Sequence, residues 1–136
     1  MAIKVLIVDD SFVVRRVLEE GLSRHPDMEV EVAQDPVFAR GKMEARWPDV
    51  LILDIEMPRV DGLTFLREIM STRPTPVIMC SSLVQSGAEA SVKALQLGAF
   101  AIIPKPRMAV RDFLESATDD LAGMVRAAAG AKPDRL

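Results

Sequence analysis

Four short apolar runs, each of which stops abruptly, constrain the fold of this chain more than any other feature. They cover residues 3–8, 50–53, 76–80 and 100–103, and apolar residues are nearly continuous within them. Short continuous apolar runs are typical of strands that are buried on both faces of a sheet. A fifth run, MEVEVA at residues 28–33, alternates apolar and acidic side chains and therefore suits an edge of the sheet.

Segments with helical spacing lie between these runs. In two stretches, residues 14–22 and 110–125, the apolar residues fall clearly on one helical face. The segments 38–46, 63–70 and 87–97 fill the remaining three positions less regularly. Strands that alternate with helices in this way indicate an α/β fold, in which helices cover both faces of a parallel sheet.

Composition excludes several classes of protein. A chain of 136 residues, 49% of them hydrophobic, suits one folded domain with a single core. The net charge is -3 and no run of Lys and Arg builds a basic face, which argues against a nucleic-acid surface. The lone cysteine, Cys80, lies in an apolar run and is interpreted as core packing. With neither a signal peptide nor a membrane-spanning apolar run, we expect a soluble cytoplasmic protein.

Polar side chains follow four of the five predicted strands. In open α/β sheets, ligands bind outside the carboxyl ends of the strands. If the strand order is 2-1-3-4-5, the first, third, fourth and fifth strands are neighbours, and the residues after them would lie along one edge. Those residues are Asp9 and Asp10, Asp54, Ser81 and Ser82, and Lys105.

Three carboxylates brought this close together would repel one another and raise at least one pKa. A divalent cation removes the conflict, and carboxylates with a backbone carbonyl and waters suit Mg²⁺. Lys105 adds a fixed positive charge and Ser81 a hydroxyl. Together these groups suit phosphoryl transfer onto Asp54.

Each of these residues also has an ordinary structural explanation. Asp9, Asp10 and Ser11 could cap a helix, and Asp54 could start a turn. Lys105 could be a solvated loop lysine, and Ser81 could cap the next helix. Their coincidence at four strand ends favours a functional site over these separate explanations.

The chain resembles the receiver domain of two-component response regulators. The segments that carry the resemblance are IVDDS, WPDVLILDIEMPRVDG, VIMCSS and LGAFAIIPKP. The resemblance implies a flavodoxin-like (βα)5 fold, a doubly wound five-stranded parallel sheet with strand order 2-1-3-4-5. It covers a receiver domain at residues 1–129, and residues 130–136 would be a tail or the start of a linker to an effector domain.

The resemblance also implies roles for individual residues. Asp54 would accept a phosphoryl group from a sensor histidine kinase, with Ser81 as the switch hydroxyl and Lys105 as the phosphate-binding lysine. The implied Mg²⁺ ligands are Asp9, Asp10, Asp54 and the backbone carbonyl of Glu56. A cis peptide bond is implied between Lys105 and Pro106.

One switch position departs from the usual receiver pattern. Receivers commonly carry Tyr or Phe three residues before the lysine, whereas this chain has Ile102. Because no ring can swing inward there, we expect phosphorylation to rearrange the surface around the fourth helix and fifth strand less. Ser82, Leu83 and Glu56 flank the site, and we expect them to take part in the switch or to tune hydrolysis of the aspartyl phosphate.

A narrower resemblance is to the receiver of chemotaxis protein-glutamate methylesterases (CheB-type). It is carried by DIEMPRVDGLTFLREIM and RPTPVIMCSSLVQSGAEASVKALQLGA, and it implies a chemotaxis-type kinase and an esterase effector. The chain has no G-x-S-x-G elbow, and its only histidine, His25, falls at the far end of the first helix. We therefore expect no separate catalytic domain here, only phosphorylation and dephosphorylation of Asp54. Receivers often pair through the surface around the fourth and fifth helices, which makes a homodimer one expectation. The charged residues there, such as Lys93, Arg111 and Asp112, are equally well explained as ordinary solvated charges.

Three other functions remain open at this level. A stand-alone chemotaxis receiver would act by binding a target protein, without a membrane or nucleic-acid partner. A haloacid-dehalogenase-type phosphatase also uses Mg²⁺ and an aspartyl phosphate, but it carries D-x-D after the first strand, and this chain has adjacent acids there. A flavin or nucleotide binder would need Gly, Ser or Thr around phosphate, where this chain reads DDSFVV.

Overall fold

Strands and helices alternate along the whole chain. The computed structural model describes residues 2–57, 61–81, 85–105 and 111–131. In chain order the elements are β1 (Ile3–Val8), α1 (Phe12–Ser23), β2 (Met28–Ala33), α2 (Pro36–Ala45), β3 (Val50–Asp54), α3 (Gly62–Thr72), β4 (Val77–Ser81), α4 (Gln85–Gln96), β5 (Ala101–Pro104) and α5 (Arg111–Gly130). All neighbouring strands pair in parallel, in the order β2-β1-β3-β4-β5. The predicted flavodoxin-like fold and strand order are confirmed.

Two apolar clusters sandwich the sheet. On one face Val5 and Ile7 of β1 pack with residues of α1 and α5, and Cys80 is buried in the same cluster. On the other face Leu6 and Val8 pack with residues of α2 and α3. Because both faces of β1, β3 and β4 are covered, their sequences read as continuous apolar runs.

Side-chain caps start three helices close to the carboxyl edge of the sheet. The Ser11 hydroxyl accepts a hydrogen bond from the Val14 amide at the start of α1. Asp35 and Asp61 do the same for α2 and α3. These caps satisfy amides that have no partner within the helix. They fix where each chain segment turns away from the sheet.

Three strands end one residue later than the apolar runs predict. β3, β4 and β5 end at Asp54, Ser81 and Pro104 instead of residues 53, 80 and 103. Strand pairing depends on the backbone, so β3 and β4 continue under the polar side chains of Asp54 and Ser81, and β5 continues to Pro104, which pairs with Ser81. The last helix, α5, ends at Gly130.

Several predicted features lie outside the described residues. These are Ser82, Leu83, Pro106 with the peptide bond before it, and the tail at residues 132–136. In the part of the chain that the structure describes, none of the helices has the length and apolarity needed to cross a membrane.

Candidate functional site

Three carboxylates converge at the carboxyl edge of the sheet. Side-chain oxygens of Asp9, Asp10 and Asp54 all lie within 4.8 Å of one another. Asp9 follows β1 directly and Asp54 is the last residue of β3, and these two strands are paired in register. Asp9 and Asp54 are each only 1% exposed, whereas Asp10 is open to solvent. The parallel register therefore produces the predicted acidic cluster.

The cationic and hydroxyl groups come from the next two strands. Ser81 ends β4 and is fully buried. The Lys105 amide donates a hydrogen bond of 2.8 Å to the Ser81 carbonyl, so β5 is held beside β4 up to the lysine. The Lys105 ammonium nitrogen then lies 2.8 Å from Oδ1 of Asp54. The structure thus brings together Asp54, Ser81 and Lys105, as the sequence predicts.

The two buried carboxylates are only half satisfied. Oδ1 of Asp54 accepts hydrogen bonds from the Glu56 amide, at 2.9 Å, and from Lys105. Oδ1 of Asp9 accepts one from the Ser11 amide at 2.8 Å. The Oδ2 atom of each residue is buried and has no hydrogen-bond partner among the described residues. Buried polar atoms normally have a partner, so two orphaned oxygens indicate a site for a further group.

Burial makes the site electrostatically costly. It raises the pKa of Asp54 to about 7, against the lowering effect of the Lys105 hydrogen bond, and the Asp9 charge adds to the rise. Burial also raises the pKa of Asp9. For Lys105, burial lowers the pKa, but the hydrogen bond and charge of Asp54 outweigh it, and the pKa is raised. The buried acids outnumber the cations, which is an arrangement that favours binding of a positive ion.

The donor set fits a hard divalent cation. Mg²⁺ prefers oxygen ligands and is usually bound through one or two carboxylates together with water. Asp9, Asp10 and Asp54 offer carboxylate oxygens at a suitable mutual spacing, and the buried Oδ2 atoms of Asp9 and Asp54 have no hydrogen-bond partner within the described ranges. The backbone carbonyl of Glu56 stays a prediction as a further ligand.

The ordinary explanations hold for some of these residues. Ser11, and neither Asp9 nor Asp10, supplies the side-chain cap of α1. Asp54 does form a turn, through the Glu56 amide, and it serves in the site as well. Ile102 is half-buried against the apolar cluster that contains α3, and its part in a switch stays a prediction.

His25 lies just beyond the C-terminus of α1, as predicted. Its ring nitrogens are hydrogen-bonded to Asp119 and Arg126 of α5. It is therefore occupied on a different surface, away from the carboxyl ends of the strands.

Sequence reasoning missed two residues that position the site. A Cβ on Gly62 would lie 2.1 Å from the carbonyl oxygen of Asp54 and 2.8 Å from Cα of Ile55. Only glycine lets α3 begin this close to the backbone of Asp54. Arg15 donates a hydrogen bond of 2.7 Å to the carbonyl oxygen of Asp9. The Asp-Gly pair at residues 61–62 is a visible signal for the first, whereas the second has no signal in the sequence.

A comparison with protein families identifies the class. The model of the response regulator receiver domain matches residues 5–117. The chain belongs to the response regulator receiver domain family. Membership in this family argues against the dehalogenase-type phosphatase and the flavin or nucleotide binder.

Individual relatives narrow the class to receivers of CheB-type regulators. A protein-glutamate methylesterase/protein-glutamine glutaminase 1 of Chromobacterium violaceum is 59% identical over 97% of this chain and 37% of its own length. The crystal structure of the response regulator domain of Thermotoga maritima CheB has 38% identity and a TM-score of 0.84, covering 98% of this chain and 100% of that chain. This chain is a receiver of the CheB type. It spans little more than a third of the length of the curated relatives it matches.

A third similar structure is a complex. A chain in the crystal structure of the P1 domain of CheA3 in complex with CheY6 from R. sphaeroides has 31% identity and a TM-score of 0.73. The match covers 93% of this chain and 95% of that chain.

Proposed function

We propose that this chain is a cytoplasmic phospho-accepting receiver, in which Asp54 takes a phosphoryl group from a histidine kinase and thereby switches an effector. The difference between the two oxygens of Asp54 carries the proposal. Oδ1 is held by the Lys105 ammonium and the Glu56 amide. Oδ2 is buried without a partner among the described residues and is available to form a new bond.

Asp54, Lys105 and Ser81 have separate roles in the phosphoryl transfer. Oδ2 of Asp54 attacks the phosphorus atom of a phosphohistidine, a P–O bond forms, and the P–N bond breaks as imidazole leaves with the electron pair. The Lys105 ammonium and the Ser81 hydroxyl bind phosphoryl oxygens. Transfers of this kind depend mainly on positioning and on neutralising charge. Burial of Asp54 keeps its other contacts fixed while the bond forms.

Asp9, Asp10 and Asp54 are the residues that would hold Mg²⁺, with the carbonyl of Glu56 as the predicted fourth protein ligand. When bound, Mg²⁺ neutralises the charge shared by the carboxylates and the phosphoryl oxygens. The buried Oδ2 atom of Asp9, which has no hydrogen-bond partner among the described residues, supports this assignment, while Oδ2 of Asp54 is left to form the bond to phosphorus.

The kinase and the effector are part of the proposal. A similar chain was crystallised with the P1 domain of CheA3, which supports a phosphodonor of that kind. The relatives' names support an effector with protein-glutamate methylesterase or glutaminase activity, beyond a receiver at residues 1–129 and a linker at 130–136. Val92 and Leu95 on α4 and Phe100 beside β5 are large apolar side chains exposed to solvent, and they are candidates for contact with a partner. A stand-alone receiver that binds a target protein through this surface is the alternative.

Phosphorylation by a small donor tests the core of the proposal. We would incubate the protein with acetyl phosphate and Mg²⁺ and measure intact mass, with EDTA and Asp54→Asn as controls. Asp119→Asn is the matched variant, because Asp119 is an exposed carboxylate on α5. We expect one phosphoryl group on the native chain and on Asp119→Asn, and none with EDTA or with Asp54→Asn. An adduct that survives in Asp54→Asn, or no adduct on the native chain, would overturn the assignment.

A further inference from the structure

The side chain of Glu56 already contacts both groups that are proposed to bind the phosphoryl oxygens. The Ser81 hydroxyl donates a hydrogen bond of 3.3 Å to Oε1 of Glu56. The Lys105 ammonium nitrogen lies 3.7 Å from Oε2. One carboxylate thus reaches the hydroxyl with one oxygen and the ammonium with the other.

These contacts resemble those that a phosphoryl group would make. A carboxylate and a phosphoryl group both present anionic acceptor oxygens, and both suit a hydroxyl donor and an ammonium. Ser81 is fully buried, and a buried hydroxyl needs a hydrogen-bond acceptor. Glu56 supplies one while Asp54 carries no phosphoryl group.

The position of Glu56 also allows its carboxylate to move away from Ser81 and Lys105. Its amide is anchored by the hydrogen bond to Asp54 Oδ1, so its backbone stays in place. Its side chain is 35% exposed, in contrast to the 0% of Asp54, so the carboxylate can be solvated when it leaves Ser81 and Lys105. The half-buried ion pair at 3.7 Å and the hydrogen bond at 3.3 Å are both long contacts, so they hold the side chain without locking it.

We propose that the Glu56 carboxylate is an internal occupant of the phosphoryl-oxygen site, which holds Ser81 and Lys105 in the unphosphorylated protein and is displaced when a phosphoryl group arrives. This inference rests on the proposed function of Asp54. While it contacts Ser81 and Lys105, the Glu56 carboxylate opposes binding of the incoming phosphoryl group, because these contacts must be broken first. From contacts of this strength, the opposition is expected to weaken binding of a phosphoryl analogue about three- to tenfold.

Two substitutions distinguish occupation of the phosphoryl-oxygen site by Glu56 from a general effect of its negative charge. Glu56→Gln removes the charge and with it the ion pair to Lys105. Glu56→Asp keeps the charge but is one methylene shorter, so it reaches neither Ser81 nor Lys105. Glu44→Gln on α2 is the matched control, because it removes one exposed acid away from the site. If Glu56 is an occupant, both substitutions at Glu56 act in the same direction.

The probe is beryllofluoride with excess Mg²⁺, an anion that stands in for a phosphoryl group on a carboxylate. Its dissociation constant is measured by amide NMR titration, following the signals of Ser81 and Lys105. We expect Glu56→Gln and Glu56→Asp each to bind about three- to tenfold more tightly than the native chain, and Glu44→Gln to bind equally. In the absence of probe, the Ser81 and Lys105 signals should shift in both Glu56 variants. Thermal unfolding checks that all variants are folded.

The other outcomes are decisive in different ways. Tighter binding by Glu56→Gln alone would mean that only charge matters and would overturn the inference. Equal or weaker binding by both Glu56 variants would also overturn it, while the proposed function of Asp54 would stand. Binding by the variants but not by the native chain would support an occupant that excludes the probe completely. No binding by any of the chains would overturn both the inference and the proposed function.

Discussion

Two of the ion pairs that link different elements of this protein differ in almost every respect. Lys105 and Asp54 join β5 to β3 at 2.8 Å, with side chains that are 20% and 0% exposed. Arg40 and Glu68 join α2 to α3 through two hydrogen bonds of 2.8 and 2.9 Å, with side chains that are 44% and 43% exposed. The second pair satisfies both oxygens of its carboxylate, whereas the first leaves Oδ2 of Asp54 without a partner among the described residues.

The pKa of the acid is shifted in opposite directions in the two ion pairs. The hydrogen bond from Arg40 lowers the pKa of Glu68, which is the usual result of pairing an acid with a cation. Burial raises the pKa of Asp54 despite its lysine partner. The exposed pair is therefore complete in itself, while the buried pair leaves negative charge uncompensated. A site that is costly without its ligand is common where a protein gives up stability for function.

The largest expected effect is a gain in stability from removing the proposed phospho-acceptor. In metal-free buffer at pH 8, Asp54→Asn should raise the free energy of unfolding by about 2–4 kcal/mol, because a buried charge becomes neutral. Urea denaturation of the two chains in EDTA measures it. Asp119→Asn, which neutralises an exposed acid, should change little. A less stable Asp54→Asn would show that Lys105 compensates Asp54 fully and would remove the contrast between the pairs.

The pH dependence of stability should show the same charge. The pKa of Asp54 is about 7 in the folded chain against 3.8 ordinarily, so the folded state binds more protons between these values. Stability from this group is greatest below about pH 4 and is lost as the pH rises through 7, and the raised pKa of Asp9 acts in the same direction. In EDTA, the free energy of unfolding should fall by about 2–3 kcal/mol between pH 5 and 8. A flat profile, or an equal fall in Asp54→Asn, would contradict this assignment.

The smallest effect is expected at the exposed pair. Glu68→Gln should lower the free energy of unfolding by less than about 1 kcal/mol, because solvent screens a surface ion pair even when it is bidentate. The same urea experiment, repeated at high salt, should reduce the difference further. A loss above about 2 kcal/mol would mean that the exposed pair stabilises the fold as a buried one does, and the comparison would fail.

The sequence predicts the fold and the members of the site for one physical reason. Buried parallel strands leave continuous apolar runs, and the first polar residue after each run marks the carboxyl edge. Asp9, Asp54 and Lys105 could be placed this way, because their positions depend on the backbone. The one-residue extensions of β3 and β4 were missed because strand pairing continues past the last apolar side chain, and that of β5 because proline is not typical of a strand interior.

The sequence could not predict the contacts that long side chains make or the distances between separate elements. Arg15 reaches the carbonyl oxygen of Asp9, and the carboxylate of Glu56 reaches Ser81 and Lys105, but each side chain has many rotamers and no pattern selects one. The close approach of Gly62 to Asp54 is a property of how α3 packs on β3. The difference in hydrogen bonding between Oδ1 and Oδ2 of Asp54 likewise depends on the positions of all the neighbouring groups, which no sequence pattern gives.

The position of Lys105 after the last strand has a consequence for the order of folding. During synthesis the acids at residues 9, 10 and 54 emerge before the lysine that faces them, and β5, which pairs with β4, is the last strand to be made. Until β5 docks, the cluster of acids lacks its cation, and contacts between such distant parts of a chain form late. Completion of the sheet and the arrival of the counter-charge are therefore the same event, so a chain interrupted before its fifth strand would be left with the self-repulsion of its own site.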